Sequence, residues 1–246
     1  MKKLFLGAMV ALLAALAFQP LRVEKMEPAK SRDSMISVQP RMSETQRLYD
    51  RLNLQAILKY EVFEQAMVGY STIPAKNKDL LTVIDFTLPS TEKRMYVLDM
   101  KHKELLFHTI VSHGRNSGGN YATKFSNTHG SLQSSLGFYL TDVTYQGANG
   151  YSLRLVGQEP GINDQAMARA IVIHGADYCS EDVIRTTGRL GRSYGCPALP
   201  RALNKPIIDA IKGESLLFIY GDSDDYLANS AILNDAAASK TLLAQF

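Results

Sequence analysis

From Leu80 onward the apolar residues of this chain stop recurring at helical spacing and fall into short runs and alternations. Seven such segments follow one another, at 80–86, 94–99, 105–112, 137–145, 152–156, 170–174 and 215–220. Runs of this length, rich in β-branched and aromatic residues and bounded by Gly, Pro, Asn and Asp, read as strands. Upstream, Ser43-Glu44-Thr45-Gln46 forms a capping box that opens a helix through about residue 52. A second helix is expected at 59–67, with Val62, Phe63, Ala66 and Met67 on one face and Gly69 as its stop. Short helices are expected at 164–169 and 181–185. Another is expected at 205–212, with Asn204 as cap, Pro206 in the first turn and Gly213 after the end. The tail after Gly221 is acidic, then alanine-rich, and reads as a peripheral helix. No internal repeat is present.

The N-terminus bears on where the chain works. Lys2 and Lys3 precede an uncharged apolar run from Leu4 to Ala17 that ends in Ala15-Leu16-Ala17. This is the pattern of a secretory signal peptide, too short for a comfortable membrane span, with an uncleaved anchor as the alternative reading. The expectation is a secreted, periplasmic or cell-envelope protein with no stable membrane insertion after cleavage. The chain carries 27 Lys and Arg against 24 Asp and Glu. Without Lys2 and Lys3 the balance is 25 to 24, so the basic excess is no argument for nucleic acid, and no Lys/Arg block interleaved with aromatics appears. With 46% hydrophobic residues the chain can build a sizeable core. Metal-ligand spacing of the His-Glu-X-X-His kind, a phosphate-binding glycine loop and a dinucleotide fingerprint are all missing, so no metal and no cofactor are expected.

Residues 171–200 carry the chemistry. A β-prone run delivers His174 to Gly175. A polar, glycine-rich excursion then returns to Ser193-Tyr194-Gly195-Cys196-Pro197. A thiol and an imidazole on one wall are the minimum for nucleophilic acyl transfer, in which the imidazole takes the thiol proton and the sulfur attacks a carbonyl. The two cysteines, Cys179 and Cys196, leave two readings open: a structural disulfide of an exported, non-catalytic module, or a free catalytic Cys196 with Cys179 as a small buried hydrophobe. The Gly-Cys-Pro turn, which exposes a side chain, favours the second. The stretch 113–136 is rich in Gly, Ser and Asn and unusually long for a loop inside a compact domain. It is expected to close over a ligand, with Arg115 and Lys124 pairing carboxylates and Tyr121 or Phe125 packing an aliphatic part. Its alternative is a solvated surface loop.

These residues are similar to a known family. The chain resembles the murein L,D-transpeptidases, more closely their YkuD_2-type branch, from about Phe63 to Tyr220. The resemblance runs through Phe63-Glu-Gln-Ala-Met-Val-Gly-Tyr70, Ile84-Asp-Phe86, His113-Gly-Arg-Asn-Ser-Gly118, Ala122-Thr-Lys-Phe-Ser-Asn127 and Gln133-Ser-Ser-Leu-Gly-Phe-Tyr139. It continues through Ile173-His-Gly-Ala-Asp-Tyr178 and Gly188-Arg-Leu-Gly-Arg-Ser-Tyr-Gly-Cys-Pro197. It implies a mainly β fold, an L,D-transpeptidase-like β-sandwich or barrel with short helices, preceded by an N-terminal helical segment. Together with the residue patterns above, the expected divisions are a signal peptide at 1–17, a linker at 18–42, the helical segment at 43–78, the catalytic domain at 79–221 and a helical tail at 222–246.

The resemblance also implies an exported cysteine acyltransferase whose partners are peptidoglycan stem peptides. Cys196 would be the nucleophile, His174 its base and Gly175 the glycine beside it. Ser193, Tyr194 and Gly195 would form the nucleophile turn, with the N–H groups of Tyr194, Gly195 and Cys196 facing the oxyanion. Carboxypeptidase or endopeptidase action with the same thiol is the alternative within this chemistry, and carbapenems would acylate Cys196. Two departures stand out: Tyr194 occupies the place of a second histidine, and the usual Cys-X-Arg is missing. Arg189 and Arg192 are the candidates for the cationic contact to the stem, with a plain surface role as the alternative.

Overall fold

The computed structural model describes residues 42–235. The signal-peptide segment, the linker up to residue 41 and residues 236–246 lie outside the described residues. Ser43 caps α1 (Glu44–Arg51) by accepting the Gln46 N–H at 3.0 Å. α2 (Tyr60–Thr72) buries Val62, Phe63 and Ala66. It does not stop at Gly69. That glycine is itself buried against the Phe138 ring, where a Cβ would stand 2.2 Å from a ring carbon. Gly69 therefore serves close approach of helix to sheet, and α2 runs on until Ile73 turns extended.

The strands are β1 (Asn77–Asp85), β2 (Met95–Asp99), β3 (Glu104–Thr109), β4 (Gly137–Gly147), β5 (Gly150–Gly157), β6 (Val172–Gly175), β7 (Ala198–Leu199) and β8 (Ser215–Tyr220). They form one curled sheet in the order β3-β2-β1-β8-β4-β5-β6-β7. Neighbours are antiparallel except β1 with β8 and β6 with β7. Every residue of β8 is buried, as befits a central strand covered on both faces. α2 covers β1 and β8. The apolar residues of both helices and of the sheet make one continuous core, in which Phe138 stacks on Phe218 at 4.4 Å.

The two edges of the sheet are tied together. The chain leaving β3 meets β7 and the segment before it, through an antiparallel bridge between Ser112 and Ala198 and a parallel one between Gly114 and Ser193. Ser112 N–H donates to Ala198 C=O at 2.9 Å, and Ser193 N–H to His113 C=O at 2.9 Å. The curl thus closes along a seam at 112–115, the barrel-like arrangement expected. Strand β7 follows Cys196-Pro197 directly and is too short to be read from its two residues.

The other helices differ in detail from the sequence expectation. Residues 160–170 are a series of turns rather than a helix. α3 (Glu181–Thr187) forms as expected, capped by Ser180 and ended by Gly188 in the left-handed region. α4 (Arg201–Ile211) starts one turn early, because Pro200 at the end of β7 already has the φ that leads into a helix. Asn204 is therefore not its cap. It is buried inside the helix and donates to Tyr151 C=O at 2.8 Å, while Pro206 sits on the exposed face. α4 covers β5 and β6. The start of the tail forms α5 (Asp224–Asn229), fastened to the sheet by buried Glu159, which accepts from Tyr226 Oη, Ser230 Oγ and Phe138 N–H. Among the described residues no helix is long and apolar enough to cross a membrane.

Candidate active site

His174 and Cys196 reach one wall by strand register. β6 and β7 run parallel with His174 beside Ala198. Two residues back along both chains, Cys196 therefore stands beside Val172, and the Val172 N–H meets Cys196 Sγ at 3.5 Å. Because side chains alternate along a strand, Val172 and His174 share a face. His174 and Cys196 both line a groove of about 700 Å³, together with Arg115, Arg169, Ala170, Tyr178, Arg189, Arg192, Ser193 and Tyr194.

The imidazole is held in one tautomer. His174 Nδ1 lies 3.1 Å from Gly175 C=O. A carbonyl only accepts, so Nδ1 carries the proton and Nε2 keeps a free lone pair. Burial lowers the His174 pKa below its usual value, so the ring is neutral at neutral pH. Gly175 lets α4 come close behind it, since a Cβ there would stand 3.0 Å from Asn204 Cβ.

The nucleophile turn is braced from inside. Ser193 Oγ donates to Cys196 C=O at 2.6 Å and accepts the Gly195 N–H at 3.1 Å. Ser134 Oγ donates to Gly195 C=O at 3.0 Å from the far side. Gly195 has φ +126°, and a Cβ would come 2.8 Å from Gln133 O, so only glycine fits. Its N–H is occupied by Ser193 Oγ and so is not available to an oxyanion, against the sequence expectation for Gly195. Desolvation raises the Cys196 pKa above the ordinary thiol value, opposed by the Val172 N–H and the charge of Arg169. At rest Cys196 is a thiol and His174 a neutral imidazole on the same groove, a state suited to general-base rather than preformed-thiolate attack.

Of the residues expected to bind substrate, Arg115, Arg189 and Arg192 line the groove. Arg192 uses Nη1 to hold Arg115 C=O and Gly118 C=O, and Arg115 lies 5.9 Å over the Tyr194 ring. Tyr121, Lys124 and Phe125 are not among the lining residues. Phe125 instead packs against the core beside Gly221, where a Cβ would meet its ring at 2.6 Å. The stretch 113–136 is a fastened wall, not a free flap. Ser134 N–H donates to Ser117 Oγ, Gly114 N–H to Ser134 Oγ, Asn116 N–H to Leu132 C=O and Thr123 N–H to Ser117 C=O. The hydroxyls of Ser117, Ser126 and Ser134 bond backbone groups, which fastens so polar a segment.

The two cysteines are free thiols, against the disulfide reading. Cys179 is fully buried in a separate small cluster with Ile110, Ala176, Leu190 and Ala198, and burial pushes its pKa up to about 11. Sequence reasoning missed Arg169 and Ala170, which stand on the groove wall where the sequence reads as the end of a short helix and the start of a strand. It also missed the buried pair Arg94 and His113, where the guanidinium Nη2 donates to His113 Nδ1 at 2.8 Å. Among the described residues no group of His, Cys, Asp and Glu is placed to hold a metal.

Three solved structures illustrate what the fold is similar to. An L,D-transpeptidase from Mycobacterium smegmatis is 13% identical, with 58% of this chain and 59% of that one covered, at a TM-score of 0.37. A helical cell shape determining protein from Campylobacter jejuni is 17% identical, covering 73% and 61%, at 0.39. An L,D-transpeptidase from Stackebrandtia nassauensis is 13% identical, covering 72% and 76%, at 0.36. The chain thus spans about three fifths of the first of these. No curated protein matches it. The model of the YkuD_2 family, described as the L,D-transpeptidase catalytic domain, matches residues 54–220, more than half of the chain and all of the groove's lining. The chain belongs to that family.

Proposed function

We propose that this protein is an exported cysteine acyltransferase acting on peptidoglycan stem peptides, with Cys196 as nucleophile and His174 as base. The observation that carries the reading is the β6–β7 register, which sets the thiol and a single-tautomer imidazole on one groove. Nε2 of His174 takes the thiol proton as sulfur attacks the carbonyl preceding the terminal D-alanine of a tetrapeptide stem. The N–H groups of Tyr194 and Cys196 hold the oxyanion. The imidazolium returns the proton to the departing amine, D-alanine leaves, and a thioester remains on Cys196. An amine of a second stem then resolves it. The groove lining contains arginines and no carboxylate, which suits a donor carrying free carboxylates, with Arg115, Arg189 and Arg192 as the contacts.

Incubation with disaccharide tetrapeptide followed by mass spectrometry tests this. Release of D-alanine with a cross-linked dimer supports transpeptidation. Release of D-alanine with tripeptide alone makes water the acceptor and the protein an L,D-carboxypeptidase. Unchanged tetrapeptide after prolonged incubation of reduced, folded protein contradicts the reading.

A further inference from the structure

Arg169 is fixed by four hydrogen bonds to one short segment. Its Nη1 donates to Ser126 C=O at 2.6 Å and Ser135 Oγ at 3.2 Å. Its Nη2 donates to Gln133 C=O at 2.6 Å and Ser131 Oγ at 3.2 Å. All four acceptors are neutral, so the guanidinium charge is held in place without being cancelled. That charge stands against the nucleophile turn: Nη2 would lie 3.4 Å from a Cβ placed on Gly195.

The turn that carries Arg169 also holds the thiol. Ile171 N–H bonds Ala166 C=O and Ala170 N–H bonds Met167 C=O, with Ala170 in the left-handed region at φ +54°. This is the Schellman arrangement, with alanine where glycine is usual. It aims Ala170 C=O at Cys196 Sγ, 3.6 Å away. A non-glycine residue kept in this conformation at a groove wall is strain of the kind that collects at functional sites.

We infer that Arg169 is a positioning residue for Cys196: it pins the 126–135 segment behind the Gly195 turn and presents a fixed, unpaired positive charge that favours the sulfur anion once its proton leaves. The proton passes from Sγ to His174 Nε2 and the electron pair stays on sulfur. The inference rests on the reading of Cys196 as nucleophile. Other titratable or charged groups facing the thiol are His174 on β6, Tyr178 and Tyr194, and Arg115, Arg189 and Arg192 across the groove. Tyr139 lies behind Arg169, and its hydroxyl bonds Ser135. None of these is an acid that would cancel the charge.

The labelling readout needs no stem peptide, so its failure is separable from failure of the proposed function; acyl transfer is read separately on the tetrapeptide stem. Iodoacetamide labelling of Cys196 is followed from pH 7 to 10, where His174 is neutral, with the modified peptide mapped. In Arg169→Gln the labelling rate at neutral pH should fall about tenfold and its pH midpoint should rise, because a cation beside a thiol lowers its pKa by on the order of one unit or more. Arg169→Lys, which keeps the charge and loses the four-bond fork, should keep the wild-type midpoint while acyl transfer drops about tenfold or more from a loosened turn. A folded Arg169→Gln whose profile superimposes on wild type overturns the inference. Should that variant not fold, Arg169→Lys decides alone: a raised midpoint, or acyl transfer equal to wild type, overturns it.

Discussion

At Cys196 burial and electrostatics pull in opposite directions. Desolvation holds the thiol protonated, while the Val172 N–H and Arg169 favour the anion. His174, the proposed base, is buried too, and burial pushes its pKa down. The sign for activity follows. Acylation should be lost on acidification only below about pH 6.5, the ordinary imidazole value, because His174 gives up its base form late. A stopped-flow acylation profile checks this, and a loss centred well above pH 7 would contradict it. His174→Ala should slow acylation by about 10²–10⁴ while leaving stem binding intact, read from single-turnover rates and a binding isotherm. The His-Gly and Ser-X-Gly-Cys elements were legible in the sequence because their chemistry is local. Arg169 was not, since its role exists only once residues 126–135 fold back onto it.

At the scale of elements, the strands were legible wherever a run of apolar residues was long enough to announce itself. β8, with six consecutive buried residues, is the clearest case. Strand β7, two residues long, takes its identity from pairing with β6 and Ser112, which no local pattern carries. Gly69 was misread for a related reason: a glycine at a helix end and a glycine in tight contact look alike in sequence. The contact makes a prediction. Gly69→Ala should destabilise the protein by about 1–3 kcal/mol through overpacking against Phe138, visible as a lower denaturant midpoint. Labelling of Cys196 in the native state should be unchanged. A variant as stable as wild type would mean that the helix can move away without cost.

For the molecule as a whole, the closing seam joins stability to the site. Ser112, His113 and Gly114 tie the edge of β3 to β7 and the segment before it, and His113 is buried against Arg94. Desolvation and the Arg94 charge push the His113 pKa down to about 3. The unfolded chain binds a proton near pH 6.5 and the folded seam does not. Stability therefore falls as pH drops from about 6.5 toward 3, by about 1.4 kcal/mol per pH unit for a single site. Urea unfolding at several pH values should show this slope, reduced in His113→Asn. An equal slope in both would place the acid sensitivity elsewhere, for instance in His108 or His174, whose pKa values burial also lowers. The seam was invisible in the sequence because His113 and Ser193 are far apart along the chain and neither side of the closure has a periodic signature.

Cys196 is the proposed carrier of the acyl group. Protein incubated briefly with tetrapeptide stem, quenched in acid and analysed by intact mass and peptide mapping addresses it directly. The expected result is one adduct equal to the stem less D-alanine, located on Cys196 and missing in Cys196→Ser, a variant expected to keep the wild-type fold and unfolding midpoint. An adduct on Cys179, or undiminished D-alanine release by Cys196→Ser, would contradict it.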